Sequence, residues 1–184
     1  MLVVRCAAST GCLGAGAAGA STTGTYYYMM KYYPQAVGKQ GQIPEMTGGD
    51  LVLSGTRADF GQTGSPVVLL QFTNHGSSQF QKITREEADR GKLRFTSTGS
   101  QGDYLNYVQH FAIVLDRQIR SFPSIDYKQY PNGIEGSNGA QITGLGGFTE
   151  AKNLALVLQT GAFPVNFKQI ERTDVSATLG KSSL

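Results

Sequence analysis

Two histidines, two cysteines and a scatter of aspartates and serines are the groups in this chain able to do chemistry. His75 follows Asn74 in a turn, and His110 opens an apolar run. Neither stands in an H-x-x-x-H or H-E-x-x-H spacing, so zinc-assisted hydrolysis has no ligand set. A solvated or core histidine is the simpler reading of both. Cys6 and Cys12 lack zinc-site partners, which leaves a small disulfide loop outside the cell or two ordinary thiols. Gly99-Ser100-Gln101-Gly102 lacks the preceding apolar strand that would expose a nucleophile. Asp103, Asp116 and Asp126 offer acid or base chemistry in principle, yet Asp116 fits a turn and Asp126 a strand end. Gly14-Ala15-Gly16-Ala17-Ala18-Gly19 matches G-x-G-x-x-G, but the first carboxylate after it is Glu45, too distant to hold a ribose, so low-complexity linker is the better account. No metal or cofactor is expected. An extracellular hydrolase rests only on the available hydroxyls and carboxylates.

Composition narrows the field further. A net charge of +3 over 16% charged residues is mild, and the cations are scattered, so nucleic acid is not an expected partner. Twenty-four glycines, nine tyrosines and no tryptophan suit a loop-rich mixed fold. No window approaches the ~18 apolar residues of a membrane helix, and the chain itself reads as soluble.

The elements follow from periodicity and turn chemistry. Tyr26-Tyr27-Tyr28-Met29-Met30-Lys31-Tyr32-Tyr33 is an aromatic and thioether cluster, either a strand or short helix packing on a core or a surface that grips apolar segments. Residues 50–60 and 66–73 read as two strands around the turn 61–65. Residues 77–90 carry an apolar stripe with Phe80 and Ile83, closed by Gly91, and Glu86 to Arg90 is an i,i+4 pair. Residues 92–109 read as a polar, irregular, exposed loop, with Tyr104 and Tyr107 as candidate contacts. Residues 111–115 form a continuous apolar run, hence a buried strand, and residues 119–125 return antiparallel after Asp116-Arg117-Gln118. A short strand is expected near Gln141. In residues 149–159, Thr149 serves as N-cap and Ala151, Leu154, Ala155 and Leu158 mark one apolar face of a helix of about three turns. Gly161 and Pro164 then give a sharp stop, and residues 165–170 alternate as a strand. The pattern predicts an α+β fold of the ferredoxin-like, split β-α-β kind, an antiparallel sheet with helices on one face.

The run from Gln141 to Gly180 is specific enough to suggest a family. Gln141-Ile142-Thr143-Gly144, Phe148-Thr149, Glu150-Ala151, Leu154-Ala155, Leu158, Gly161-Ala162-Phe163-Pro164 and Val175-Ser176-Ala177-Thr178-Leu179-Gly180 resemble the SecD subunit of the bacterial Sec export machinery. His110-Phe111-Ala112-Ile113-Val114-Leu115-Asp116 and Ser121-Phe122-Pro123-Ser124-Ile125 resemble a hairpin of the same family. The likeness covers residues 46–184. Phe163 stands where the family usually has Leu, and Arg117 where a turn Gly is usual.

The resemblance implies the first large extracytoplasmic domain of a membrane subunit, split into head and base lobes. On that reading residues 1–45 are a base segment and linker, 46–145 the head, and 146–184 the return to the base. The implied work is capture of unfolded preprotein emerging from the Sec channel, beside SecF and the channel subunits, and assistance of translocation driven by the proton gradient through head movement. Proton-carrying residues would lie in membrane spans outside this sequence. Substrate contacts are then expected at Tyr104, Tyr107 and Phe122, and hinges at Gly144, Gly147, Gly161 and Pro164. A purely structural ectodomain that binds only partner membrane proteins is the other non-enzymatic reading.

Overall fold

A computed structural model describes residues 1–8, 12, 23–34, 38, 41–98 and 102–161. The predicted strand at 165–170 lies outside the described residues, as does the Gly14 to Gly19 stretch. The fold is mixed α+β, with two α-helices and strands in three small sheets among the described residues.

The first sheet grows from two alternating hexapeptides. β1 (Leu2–Ala7) and β2 (Thr25–Met30) pair antiparallel, Val3 opposite Met29 and Arg5 opposite Tyr27. Alternate residues point to opposite faces of a strand, so Val4, Cys6, Tyr26, Tyr28 and Met30 turn to one core while Val3, Tyr27 and Met29 face outward. The Tyr-Met cluster is thus half core and half surface. A disulfide joins Cys6 to Cys12, deciding between the two readings of those residues.

The other side of β1 pairs parallel with β7 (Gln118–Ser121), which pairs antiparallel with β6 (Ile113–Leu115). The β6–β7 turn places Asp116 at φ 51° and Arg117 at φ 59°. Positive φ at both centres is what a tight two-residue hairpin needs, so Asp116 is the turn residue its sequence suggested.

The run 111–115 is not one buried strand. β5 (Gln109–His110) pairs with β8 (Ser124–Ile125), the chain crosses at Phe111 and Ala112, and β6 then joins the first sheet. Phe111 meets Phe80 edge-on at 6.2 Å, whereas Ile113 packs on another cluster and Val114 is exposed. The run is apolar throughout because its residues serve different cores.

The predicted hairpin forms as β3 (Arg57–Phe60) and β4 (Pro66–Leu70), with β9 (Ala140–Ile142) antiparallel on the far side of β4. Residues 48–50 and 53–55 are short 3-10 turns, not strand. Ala151, Leu154 and Ala155 of α2 (Phe148–Gly161) close on Val68, Leu70 and Ile142 to make the largest core cluster. The helix starts two residues earlier than Thr149 as N-cap would place it. The Ala151 N–H donates to the Gly147 carbonyl, and Glu150 accepts from the Gly146 N–H at 2.7 Å, so Thr149 is within the first turn. Gly161 is the last helical residue and has no positive φ.

The longer helix, α1 (Asn74–Ser97), overruns both predicted ends. Thr73 caps it, accepting from the Gly76 N–H at 3.1 Å. Gly91 does not stop it. A Cβ there would lie 2.8 Å from Tyr127 Cδ1 and 3.0 Å from the Tyr107 carbonyl oxygen, so glycine is needed for close approach, not for termination. Residues 92–97, read as irregular, are therefore helical. Exposed Arg90 pairs with Glu87, which is buried, at 3.1 Å and more loosely with half-exposed Glu86 at 3.9 Å. Buried Thr84 donates to the Phe80 carbonyl and accepts the Ile134 N–H, each at 2.8 Å, which ties the loop before β9 to α1.

Asp50 anchors the start of α1. Its carboxylate accepts the Thr47 N–H at 2.8 Å and meets His75 Nδ1 at 2.7 Å, while its carbonyl accepts the Thr73 N–H. Burial pushes the carboxyl pKa up, but the Thr47 and His75 hydrogen bonds and the nearby imidazole outweigh this and leave it below the ordinary value.

Two outcomes follow for stability. Helix propensity alone makes Gly91→Ala stabilising by roughly 1 kcal/mol; contact with Tyr127 and the Tyr107 carbonyl reverses the sign, so the urea midpoint falls. A depressed native pKa gives Asp50 a contribution that is complete above its unfolded value, about 4, and is lost as pH falls through the lower folded value. Urea titrations across that window should show wild type losing stability on acidification and Asp50→Asn losing less.

Candidate functional site

Among the described residues, the outer strands of all three sheets each leave one edge unpaired, and two of them, β8 and β9, border the same recess. β9 is only three residues long because glycines bracket it. Gly139 before it has φ +78° with no room for a Cβ against the Leu70 carbonyl, and Gly144 after it has φ +75°. One edge of β9 pairs with β4; its other edge has no backbone partner among the described residues. β8 is likewise paired only with β5. Both strands line a cavity of about 250 Å³ walled by Phe80, Phe111, Pro123 and Ile134. A wider, open cleft of about 510 Å³ is bordered by Arg57, Leu69, Gln71 and Asn138. Leu70, Gly139, Ala140 and Gln141 line both, so β9 forms a partition between an apolar recess and an amide-rich cleft. Unpaired N–H and C=O groups beside an apolar recess suit an extended polypeptide, held through its backbone with little regard to sequence.

The aromatic candidates fall in two separate places. Tyr104 and Tyr107 sit on a 3-10 turn (Tyr104–Tyr107) instead of an open loop, each half-buried. The Tyr107 ring meets Phe95 at 5.4 Å and the Tyr104 ring meets Tyr127 at 5.9 Å, both edge-on. Tyr104 Oη donates to Asp126 Oδ2 at 3.1 Å, and Lys128 Nζ lies 3.7 Å above its ring. The hydrogen bond to Asp126, helped by burial, raises the Tyr104 pKa. Phe122 belongs instead to the core of the first sheet, edge-on to Tyr28 at 5.7 Å. Gly144 and Gly147 lie in the β9–α2 connection, both ends of which pack into one core. Gly161 rests against Leu115, and Pro164 lies outside the described residues.

The reactive groups take structural posts. Asp103 accepts the Leu105 N–H, and Asp126 accepts those of Lys128 and Gln129. His110 is half-buried in β5, and burial lowers its pKa. No cluster of three or more metal-ligating side chains occurs among the described residues. The short strand expected near Gln141 is β9, but the sequence did not show that it shares a recess with β8; the local signal for its short length was the pair of glycines around Ala140–Ile142.

Residues 27–165 match the family described as SecDF, P1 head subdomain. The chain is similar to the protein translocase subunit SecD of Leptotrichia buccalis, 35% identical over 67% of this chain and 24% of that protein. It is also similar to the subunit SecDF of Thermus thermophilus, 33% identical over 77% of this chain and 16% of that one. It therefore spans about a quarter or less of the length of these relatives. Among solved structures, a crystal structure of SecDF in a super-membrane-facing form aligns with TM-score 0.43 at 34% identity, covering 65% of this chain and 13% of that one. Since the family match extends over well more than half of its residues, the chain belongs to the SecDF P1 head subdomain family.

Proposed function

We propose that this chain is the extracytoplasmic, preprotein-capturing part of a SecD-type membrane subunit, acting in protein export. Family membership over residues 27–165 carries the reading. In this account a preprotein leaving the Sec channel lies extended along β9, beside SecF and the channel subunits, and head movement powered by the proton gradient draws it on. The proton-carrying groups belong to membrane spans outside this sequence. The relatives are named as translocase subunits and not as enzymes, which disfavours the hydrolase reading.

The two open edges and the apolar recess supply a means of holding chain without sequence preference. Tyr104, Tyr107 and Phe122 are secondary contacts in this proposal, through whatever ring edge they leave exposed. The expected division is residues 1–45 with 146–184 for the base and 46–145 for the head; because α2 shares one core with β4 and β9, the head in this proposal runs on through residue 161. We place the pivot at Gly161 and Pro164 in preference to Gly144 and Gly147, because the connection holding the latter two joins elements of a single core. The β3-β4-β9 sheet with α2 on one face supports a ferredoxin-like, split β-α-β relation for this part of the chain.

Photocrosslinkers placed at Gln141, Ser124, Tyr104 and Phe122 of the full-length subunit test capture during export of a stalled secretory precursor. Adducts are expected at Gln141 and Ser124, which line the recess, and fewer at the two aromatic positions. Active export with no precursor adduct at any of the four, but adducts to SecF or channel subunits, would replace capture with the purely structural role.

A further inference from the structure

The outward face of β1 and β2 lies apart from the recess. Val3, Tyr27 and Met29 are 54%, 72% and 74% exposed, a concentration of large apolar side chains that the alternation of both strands puts on one side. The opposite side is core. The far half of the outward face is not open in the same way, because Leu115, in register with Gln118 and through it with Arg5, lies against Gly161 at the end of α2.

Charge decides what such a face fits. Residues 1–44 contain no Asp or Glu. Arg5 stands opposite Tyr27 on the face itself, Lys31 follows β2, and exposed Arg117 accepts the Arg5 N–H through its carbonyl. None of these three cations has an ion pair among the described residues. Asp116, exposed in the neighbouring turn, is the nearby carboxylate in sequence. Tyrosine with Met and Val beside free Arg and Lys is the chemistry that settles at a bilayer interface, apolar groups at the acyl boundary and cations at lipid phosphates.

We propose that the β1–β2 face docks on an anionic lipid bilayer surface, with Tyr27 and Met29 entering the interfacial layer and Arg5 and Lys31 meeting the headgroups. The attachment is peripheral and reversible, and it does not depend on preprotein capture.

Flotation of the 184-residue chain with phosphatidylglycerol/phosphatidylethanolamine vesicles, compared with phosphatidylcholine vesicles, tests this. Binding is expected to the anionic vesicles only and to weaken with added salt. Arg5→Gln should reduce it roughly fivefold, and the Tyr27→Ser/Met29→Ser double variant should abolish it with an unchanged melting temperature, since both side chains are exposed. Absence of vesicle binding, equal binding to phosphatidylcholine, or full binding by the double variant overturns the proposal. Self-association of the free chain that the double variant abolishes would assign the face to a second copy instead, and would overturn it equally.

Discussion

The closure of a narrow helix face on a narrow sheet governs the arrangement. Ala151 and Ala155 are small, so α2 approaches β4 closely, and Leu154 fills the space between Val68, Leu70 and Ile142. That contact fixes the helix and also β9, whose Ile142 is part of the same cluster while its far edge has no backbone partner among the described residues. Burying a leucine and three branched or γ-branched neighbours contributes roughly 1.5–3 kcal/mol per side chain. This is ample to hold a three-residue strand that would otherwise fray. The open edge is therefore a consequence of core packing, not of looseness.

A second constraint aligns α1 with the recess. Thr84 is fully buried, and its hydroxyl donates to Phe80 and accepts from Ile134, so the loop leading to β9 is tied to the helix by a polar contact in a dry place. Gly133 lies where a Cβ would fall 2.5 Å from the Gln81 carbonyl. Phe80, stacked on Phe72 at 4.6 Å, then forms one wall of the recess. The same helix carries Gly91, on which Tyr127 packs, and this joins the aromatic cluster to the rest.

Much of this was legible in the residues, and the failures are physically informative. The Gly61 to Ser65 hairpin, the Asp116 turn, α2 and the short strand near Gln141 were all readable because local turn chemistry or helical period sufficed. The end of α1 was misread because a glycine was taken as a terminator when its lack of Cβ serves a distant ring. The run 111–115 was misread because apolar continuity cannot tell one buried strand from a chain passing between cores. Tyr104 and Tyr107 looked exposed in a polar stretch, and only the long-range contacts with Phe95 and Tyr127 withdraw them. That the outer edges of β8 and β9 have no backbone partner among the described residues leaves no mark in the sequence beyond two glycines.

The brevity of β9 sets a time scale. An edge of three residues offers a neighbouring chain only a few backbone hydrogen bonds, each worth about 1 kcal/mol in net terms. On the proposed function, a chain lying there would be held in shallow energy wells, so its dwell would be short and it would exchange by small steps along its own length. A longer edge would make a trap, whereas one this short would make a passing place.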